Sequence, residues 1–411
     1  MQYITAKQAA AKWEITVRRV QDLCRSHQIN GAVRWGRDWM IPTDAHRPDD
    51  RRKKTVTHTP ETVAQLPRKN PAILMSNIYN TPGTADRVPD SFPNRPVAGQ
   101  LFRSQIAFCR GEVDYAIELV LPILEKPCGH DLQIGCGMVL GLCALFKGNQ
   151  ILWERAKECI KTAPCHNAHD RFSVDFWLGA LECELLDVNT FPIWFARGRF
   201  DVLPGDSFPS ARFYYLRFIH LMGRGYALGH HGDAPDAQRA MSMFPVVAEP
   251  LIAQNKKEGA LVSEIYTRLL CACSNHDIGD DTAAIHHLDI AIALALPDRL
   301  YMLLAEYRRQ LDFLMDERLS RVDPIAAQQV KTLNKQFSEG WTALHNVAHN
   351  KTVSNQLTAR EREVAKQAAF GLSNKDIAQR LNISVNTVKQ SLRTAMDKTG
   401  ALRRSDLADY I

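Results

Sequence analysis

Apolar positions along this chain recur almost throughout at the spacing that lines one face of an α-helix. Near the C-terminus the pattern is punctuated by helix starts. Thr358-Ala-Arg-Glu361 and Ser373-Asn-Lys-Asp376 each set a hydroxyl three residues before a carboxylate, so that each group can bond the other's backbone amide. The first predicts a helix to about Ala369, with Val364, Ala365 and Ala368 inward and Gly371 at its left-handed end. The second predicts a short helix through Arg380, with Ile377, Ala378 and Leu381 inward. After a brief link, Ser384 caps a third helix whose inner stripe is Val388, Leu392 and Met396. Gly400 ends it, and residues 404–410 suit a short fourth helix. The N-terminus follows the same pattern: Thr5-Ala-Lys-Gln8 opens a helix to about Trp13, and Thr16 caps a second, with Ile15 and Val20 as a hydrophobic staple. Then AVRWGRDWMI alternates, Val33 and Trp35 against Trp39 and Ile41 around Gly36-Arg37, which predicts a small hairpin.

This reading divides the chain into four parts: 1–42, a helix pair with a hairpin; 43–98, a linker; 99–350, helix after helix; and 351–411, the C-terminal helices. The linker assignment rests on the charge run RPDDRRKKT and on prolines at 60, 67, 71, 82, 89, 93 and 96, which disfavour any long helix. In the middle part, Gly111 with Ala116, and Gly279 with Ala284, Leu288, Ala291 and Pro297, place glycine at helix turns and small residues at close crossings. Charge sharpens the division. Residues 1–70 hold 14 Lys and Arg against 7 Asp and Glu, residues 351–411 hold 11 against 6, and the remainder holds 26 against 32. Basic ends suit a polyanion and an acidic middle repels one. The ten cysteines include no C-x-x-C pair, and Met1 leads directly into polar sequence, so a cytoplasmic protein with reduced thiols is expected. LQIGCGMVLGLCALF, between Asp131 and Lys147, is too short for a membrane span and predicts a buried helix.

Two short helices with a tight link, the second turning polar side chains outward, make a helix-turn-helix. The inner stripe of the third C-terminal helix leaves Asn386, Lys389, Gln390 and Arg393 outside. Lys and Arg donate to guanine O6 and N7, and Gln pairs with adenine N6 and N7. Ser373, Asn374 and Lys375, at the start of the second helix, suit a phosphate oxygen. LTAREREV (357–364), GLSNKDIAQRLNIS (371–384) and TVKQSLRTAMDKTG (387–400) closely resemble the LuxR-type (GerE-like) DNA-binding domain, a four-helix unit. That resemblance implies base reading by Lys389, Gln390 and Arg393, and phosphate contacts by Asn374, Lys375 and Thr387. Ala359 departs from the family, which often has Pro there, at little cost to the helix. Residues 402–411, with Leu402, Leu407 and Tyr410, are the expected head-to-head contact of a homodimer.

The N-terminal part, most of all AVRWGRDWMIP, resembles the MerR-like and excisionase-like winged helix-turn-helix domains. The resemblance implies Arg18, Arg19 and Gln21 at a groove and Arg34 and Arg37 on phosphates, though the same fold also serves protein contacts. The middle resembles a degenerate tetratricopeptide-like solenoid, which implies a concave face for a peptide, a small ligand or a second copy. It holds no G-x-x-x-x-G-K-[ST], and no catalytic arrangement can be assembled from it. Cys159, Cys165, His166 and His169 fall close together but match no familiar metal spacing, and His230-His231 and His286-His287 are adjacent pairs that point to different sides of a helix. Trp153, Trp177, Trp194 and Trp341 are pocket or core candidates. The expected protein is mainly α: a tetratricopeptide-like solenoid between an N-terminal winged helix-turn-helix and a C-terminal LuxR-type one. It is expected to be no enzyme, to need no cofactor or metal, and to bind double-stranded DNA under control of an effector, with no membrane partner. The alternative is a helical-repeat interaction scaffold whose end domains are adapters.

Overall fold

The structure, a computed structural model, describes residues 3–13, 15–25, 29, 31–35, 38–43, 45, 70, 75–223, 234–349, 357–399, 401, 404 and 407. The chain forms two compact units, Met1–Leu66 and Pro67–Ile411.

In the first unit, β1 (Tyr3–Thr5) leads into α1 (Ala6–Trp13), then α2 (Val17–Arg25), β2 (Val33–Trp35) and β3 (Asp38–Pro42). The reciprocal cap is present: the Gln8 amide donates to Thr5 Oγ1 at 3.3 Å and the Thr5 amide to Gln8 Oε1 at 2.9 Å. β2 and β3 form the expected hairpin, with Arg34 opposite Trp39. β1 was not expected. It pairs antiparallel with β3, setting Ile4 opposite Ile41, so the sheet order is β1-β3-β2. Ala9, Val20 and Ile41 are fully buried between this sheet and the two helices.

The second unit begins earlier than the sequence suggests. The stretch read as linker to residue 98 is packed over its later half. Tyr79 is fully buried, a 3-10 helix spans Ala85–Ser91, and both are fastened to the buried carboxylate of Asp298. That carboxylate accepts from the Tyr79 hydroxyl, the Gly83 amide and, at 3.0 Å, the Ala85 amide. The prolines prevent a long helix but not packing.

The helices that follow are α3 (Pro96–Arg110), α4 (Val113–Leu124), α5 (His130–Lys147), α6 (Gln150–Lys161), α7 (Ala168–Cys183), α8 (Ile193–Ala196), α9 (Phe208–Gly223), α10 (Ala234–Glu258), α11 (Leu261–Ile278), α12 (Asp281–Ala295), α13 (Tyr301–Val322) and α14 (Pro324–His349). Gly111, Gly148 and Gly279 have φ of 89°, 63° and 87°, the left-handed region, and end α3, α5 and α11. Each turn folds the next helix back, so α3/α4, α5/α6 and α11/α12 are antiparallel hairpins, as the glycine spacing suggested. α13 returns to α3 and α14 lies along α5, so late helices close on early ones.

The C-terminal helices, α15 (Ala359–Ala369), α16 (Asn374–Arg380) and α17 (Val385–Thr399), fall within two residues of the expected bounds. Among the described residues, no helix is long and apolar enough to cross a membrane.

The crossing of α14 on α5 depends on Gly340. A Cβ there would collide with the Phe146 carbonyl oxygen and come within 2.6 Å of that of Leu145, both backbone atoms with no room to yield. Gly340→Ala is expected to destabilise the second unit by at least about 3 kcal/mol in urea unfolding. Gly205→Ala, where nothing lies within 4 Å, is expected to change it by no more than about 0.5 kcal/mol.

Candidate nucleic-acid interface

The C-terminal head is built from local signals. Both capping boxes form: Glu361 N donates to Thr358 Oγ1 at 3.3 Å and Thr358 N to Glu361 Oε2 at 2.8 Å, while Asp376 N donates to Ser373 Oγ at 3.2 Å and Ser373 N to Asp376 Oδ2 at 3.2 Å. Ser384 caps α17 through the Thr387 amide at 3.0 Å. Val388, Leu392 and Ala395 are buried against Ile377 and Ala378 of α16 and Val364 and Ala368 of α15. Met396, assigned to the inner stripe, is only partly buried, and Ala395 takes the deeper position. Lys398 closes the frame, holding Glu361 at 2.7 Å across α17 and α15. That bond is the main reason the Glu361 carboxyl lies below the usual carboxylate range.

This packing sets the outward edge of α17. Asn386, Thr387, Lys389, Gln390 and Arg393 are exposed. Among the described residues, the side chains of Lys389, Gln390 and Arg393 take part in no hydrogen bond or ion pair. The three candidate base-contacting residues therefore share one open strip. The phosphate candidates are more varied. Lys375 is exposed at the start of α16. The Ser373 hydroxyl and amide are both engaged by Asp376, whose carboxyl these bonds hold below its usual range. Asn374 Oδ1 accepts from Arg404 at 2.6 Å, so its amide nitrogen is the end left to donate. Thr387 Oγ1 lies 2.8 Å from Ser384 Oγ at the exposed start of α17.

In the first unit, Arg18 and Arg34 are exposed and Gln21 is partly buried. Arg37, and the side chain of Arg19, lie outside the described residues. Of the three apolar candidates for a dimer contact, Leu407 is fully buried in the head's own core, so it serves intramolecular packing. Leu402 and Tyr410 lie outside the described residues.

Sequence reading missed how the head is held. Lys366 of α15 is buried in an ion pair with Asp277 at 2.6 Å and donates to the Gln310 carbonyl at 3.2 Å. Asp277 also lies 3.6 Å from His220 Nε2. Arg380 Nη2 sits 3.4 Å from the carbonyls of His276 and Asp277, over the C-terminal end of α11, where a cation meets the negative end of the helix dipole. Gly279, beside it, leaves the space the guanidinium fills. A basic residue in the middle of a basic head gave no sequence signal that its partner would be acidic and buried.

Cys159 Sγ donates to the Gln133 carbonyl at 3.3 Å and His169 contacts the Val202 carbonyl at 2.6 Å, and no group of metal-ligating side chains gathers among the described residues. The rings of His286 and His287 are 5.6 Å apart, and His230 and His231 lie outside the described residues. Trp153 is core, Trp177 lines a cavity, Trp194 is edge-on to Phe172 and Phe195, and Trp341 donates to the Glu184 carbonyl at 2.8 Å.

Residues 355–411 match the family described as bacterial regulatory proteins, luxR family. The chain is 47% identical over 51 residues to the monoamine regulon transcriptional regulator of Klebsiella aerogenes, a match that covers 12% of this chain and 22% of that protein. It therefore spans about a fifth of that relative's length. No solved structure matches the chain.

The buried Lys366–Asp277 pair gives a direct prediction. Removing one partner strands a charge in the interior, and such losses cost about 3–5 kcal/mol. Lys366→Ala is expected to lower stability by that order in chemical denaturation, and Lys366→Met with Asp277→Leu to recover most of it. Independent, additive losses in the double variant would show that the two side chains do not depend on each other.

Proposed function

We propose that this chain is a DNA-binding transcription regulator whose C-terminal head reads the major groove. The observation that carries the proposal is the edge of α17, where Lys389, Gln390 and Arg393 are exposed, adjacent and unengaged. In this reading Arg393 and Lys389 donate to guanine and Gln390 pairs with adenine. Lys375 and Thr387, with the amide of Asn374 and the neighbouring Ser373, hold phosphates and set the register. The luxR-family match supports it, as does the naming of a relative as a transcriptional regulator.

The rest of the chain is read around that head. The N-terminal unit supplies a second basic surface through Arg18, Arg19, Gln21, Arg34 and Arg37, as a winged helix-turn-helix on DNA. The helical unit senses an effector and passes its state to the head through α11 and α13, which carry Asp277 and Gln310, both held by Lys366. Two copies pairing by their heads would place two α17 helices about one turn of DNA apart, roughly 34 Å.

Binding of the full chain to DNA from its own upstream region tests this. Affinity is expected to fall steeply with salt, as counterions released from phosphates return. Lys389→Ala and Arg393→Ala are each expected to cost about 1–3 kcal/mol on the preferred site while leaving non-specific binding nearly unchanged. Lys375→Ala is expected to weaken all sequences alike and to lower the salt slope by about one. Indifference of the full chain to DNA at low salt would favour the scaffold reading.

A further inference from the structure

We infer that the cavity inside the helical unit binds a small uncharged molecule, a short apolar body bearing a hydrogen-bond-accepting oxygen, as in a ketone. This rests on the reading in which the helical unit senses an effector, and it names the effector's chemistry.

The cavity has a volume of about 60 Å³. At roughly 10–15 Å³ per water-sized occupant, that is room for about four to six non-hydrogen atoms. Its lining is mostly apolar, with Phe108 of α3 and Ile134, Met138 and Val139 of α5. An occupant therefore binds chiefly by burying hydrocarbon. One group interrupts that surface. Trp177 of α7 lines the cavity and is only 5% exposed, and its Nε1 finds no acceptor among the described residues. An indole nitrogen donates and cannot accept. Leaving such a donor buried and unmatched is costly, and an acceptor carried in by an occupant removes the cost.

The charged and phenolic groups of the lining are already matched. Glu184 is its one carboxylate. It is held by Arg217 at 2.9 Å and accepts from the Tyr214 hydroxyl at 3.0 Å. Arg217 donates in turn to the Tyr307 hydroxyl at 3.2 Å. The Tyr266 hydroxyl is bonded to Glu306, which is not part of the lining. Charge at the cavity is thus balanced before anything enters. An incoming anion would stand against Glu184. A cation would have to draw Glu184 from Arg217, and it would turn its own hydrogens toward the Trp177 N–H. A hydrocarbon fills the space and leaves that N–H unmatched. An uncharged molecule with an acceptor oxygen meets both demands of the site. Tyr266 lies on α11 about three turns before Asp277, the partner of Lys366, so an occupant touches the helix that holds the head.

Four probes of equal size separate charge from hydrogen bonding: butan-2-one, 2-methylbut-1-ene, sec-butylammonium and propionate. Each is titrated into the full chain, labelled at methionine methyls and tryptophan indoles for NMR. The Met138 methyl signal reports occupancy, and the Trp177 indole signal is the one that Trp177→Phe removes. Butan-2-one is expected to bind at least about tenfold tighter than either charged probe. It is expected to bind about fivefold tighter than the alkene, the equivalent of one neutral hydrogen bond. It is also expected to move the Trp177 N–H proton downfield, as a new acceptor does, where the alkene does not. Trp177→Phe, with its melting temperature checked, is expected to bring butan-2-one to the level of the alkene, whose own affinity stays within about twofold. If the variant does not fold, the ranking in the native chain decides on its own. Equal or tighter binding of any other probe, a Trp177 signal that stays in place at saturating butan-2-one, or no binding of any probe at tens of millimolar would overturn the inference. DNA affinity is measured on the same samples: intact DNA binding without ketone binding sinks this inference alone, and the reverse result sinks the regulator reading alone.

Discussion

The rotational setting of α17 is the constraint on which the rest of the head depends. Val388, Leu392 and Ala395 must be buried, and each is, against α15 and α16. A helix with those three positions inward has no freedom left in what it turns outward: Lys389, Gln390 and Arg393 follow from the period alone. Rotating the helix by one residue would carry Lys389 into an apolar core, where an unpaired ammonium is far costlier than the packing gained. The exposed strip is thus fixed by what lies on the opposite side of the same helix.

A second constraint holds the head from behind. The Glu361–Lys398 bridge is partly solvated and contributes little beyond alignment. The Lys366–Asp277 pair is buried on both sides, so its net contribution to stability is modest, but its loss is expensive. That asymmetry makes it a positioning device rather than a source of stability. Arg380 adds a cation at the end of α11, and neither contact uses a residue of the exposed strip of α17. Docking and the proposed reading therefore use different residues of one small domain, and the proposed control of the head acts on the first without occupying the second.

What was legible in the sequence was local. Thr5 with Gln8, Thr358 with Glu361 and Ser373 with Asp376 each span three residues, and all three caps form as read. Glycine turns at 111 and 279 were equally legible, because a left-handed residue is a property of one position. What was not legible was distant. Tyr79 meets Asp298 across 219 positions, so a proline-rich stretch that looks like linker becomes part of the core. β1 is three residues long, too short to show a period, and exists because β3 offers it an edge. The closing of α14 on α5 turns on Gly340, a glycine inside a helix, which sequence alone would mark only as a weak point. Leu407, apolar and near the end of the chain, reads from sequence as a dimer contact, and only the packed head assigns it to the core.

The central claim is that the outward edge of α17 lies against base edges. Dimethyl sulfate probing of the bound operator tests it most directly, since the reagent methylates guanine N7 in the major groove. Protection of one or two guanines per half-site by the full chain, lost selectively with Arg393→Ala while neighbouring protections remain, is the expected result. Unprotected guanines under saturating protein, with only the sugar-phosphate backbone shielded from hydroxyl radical, would contradict it.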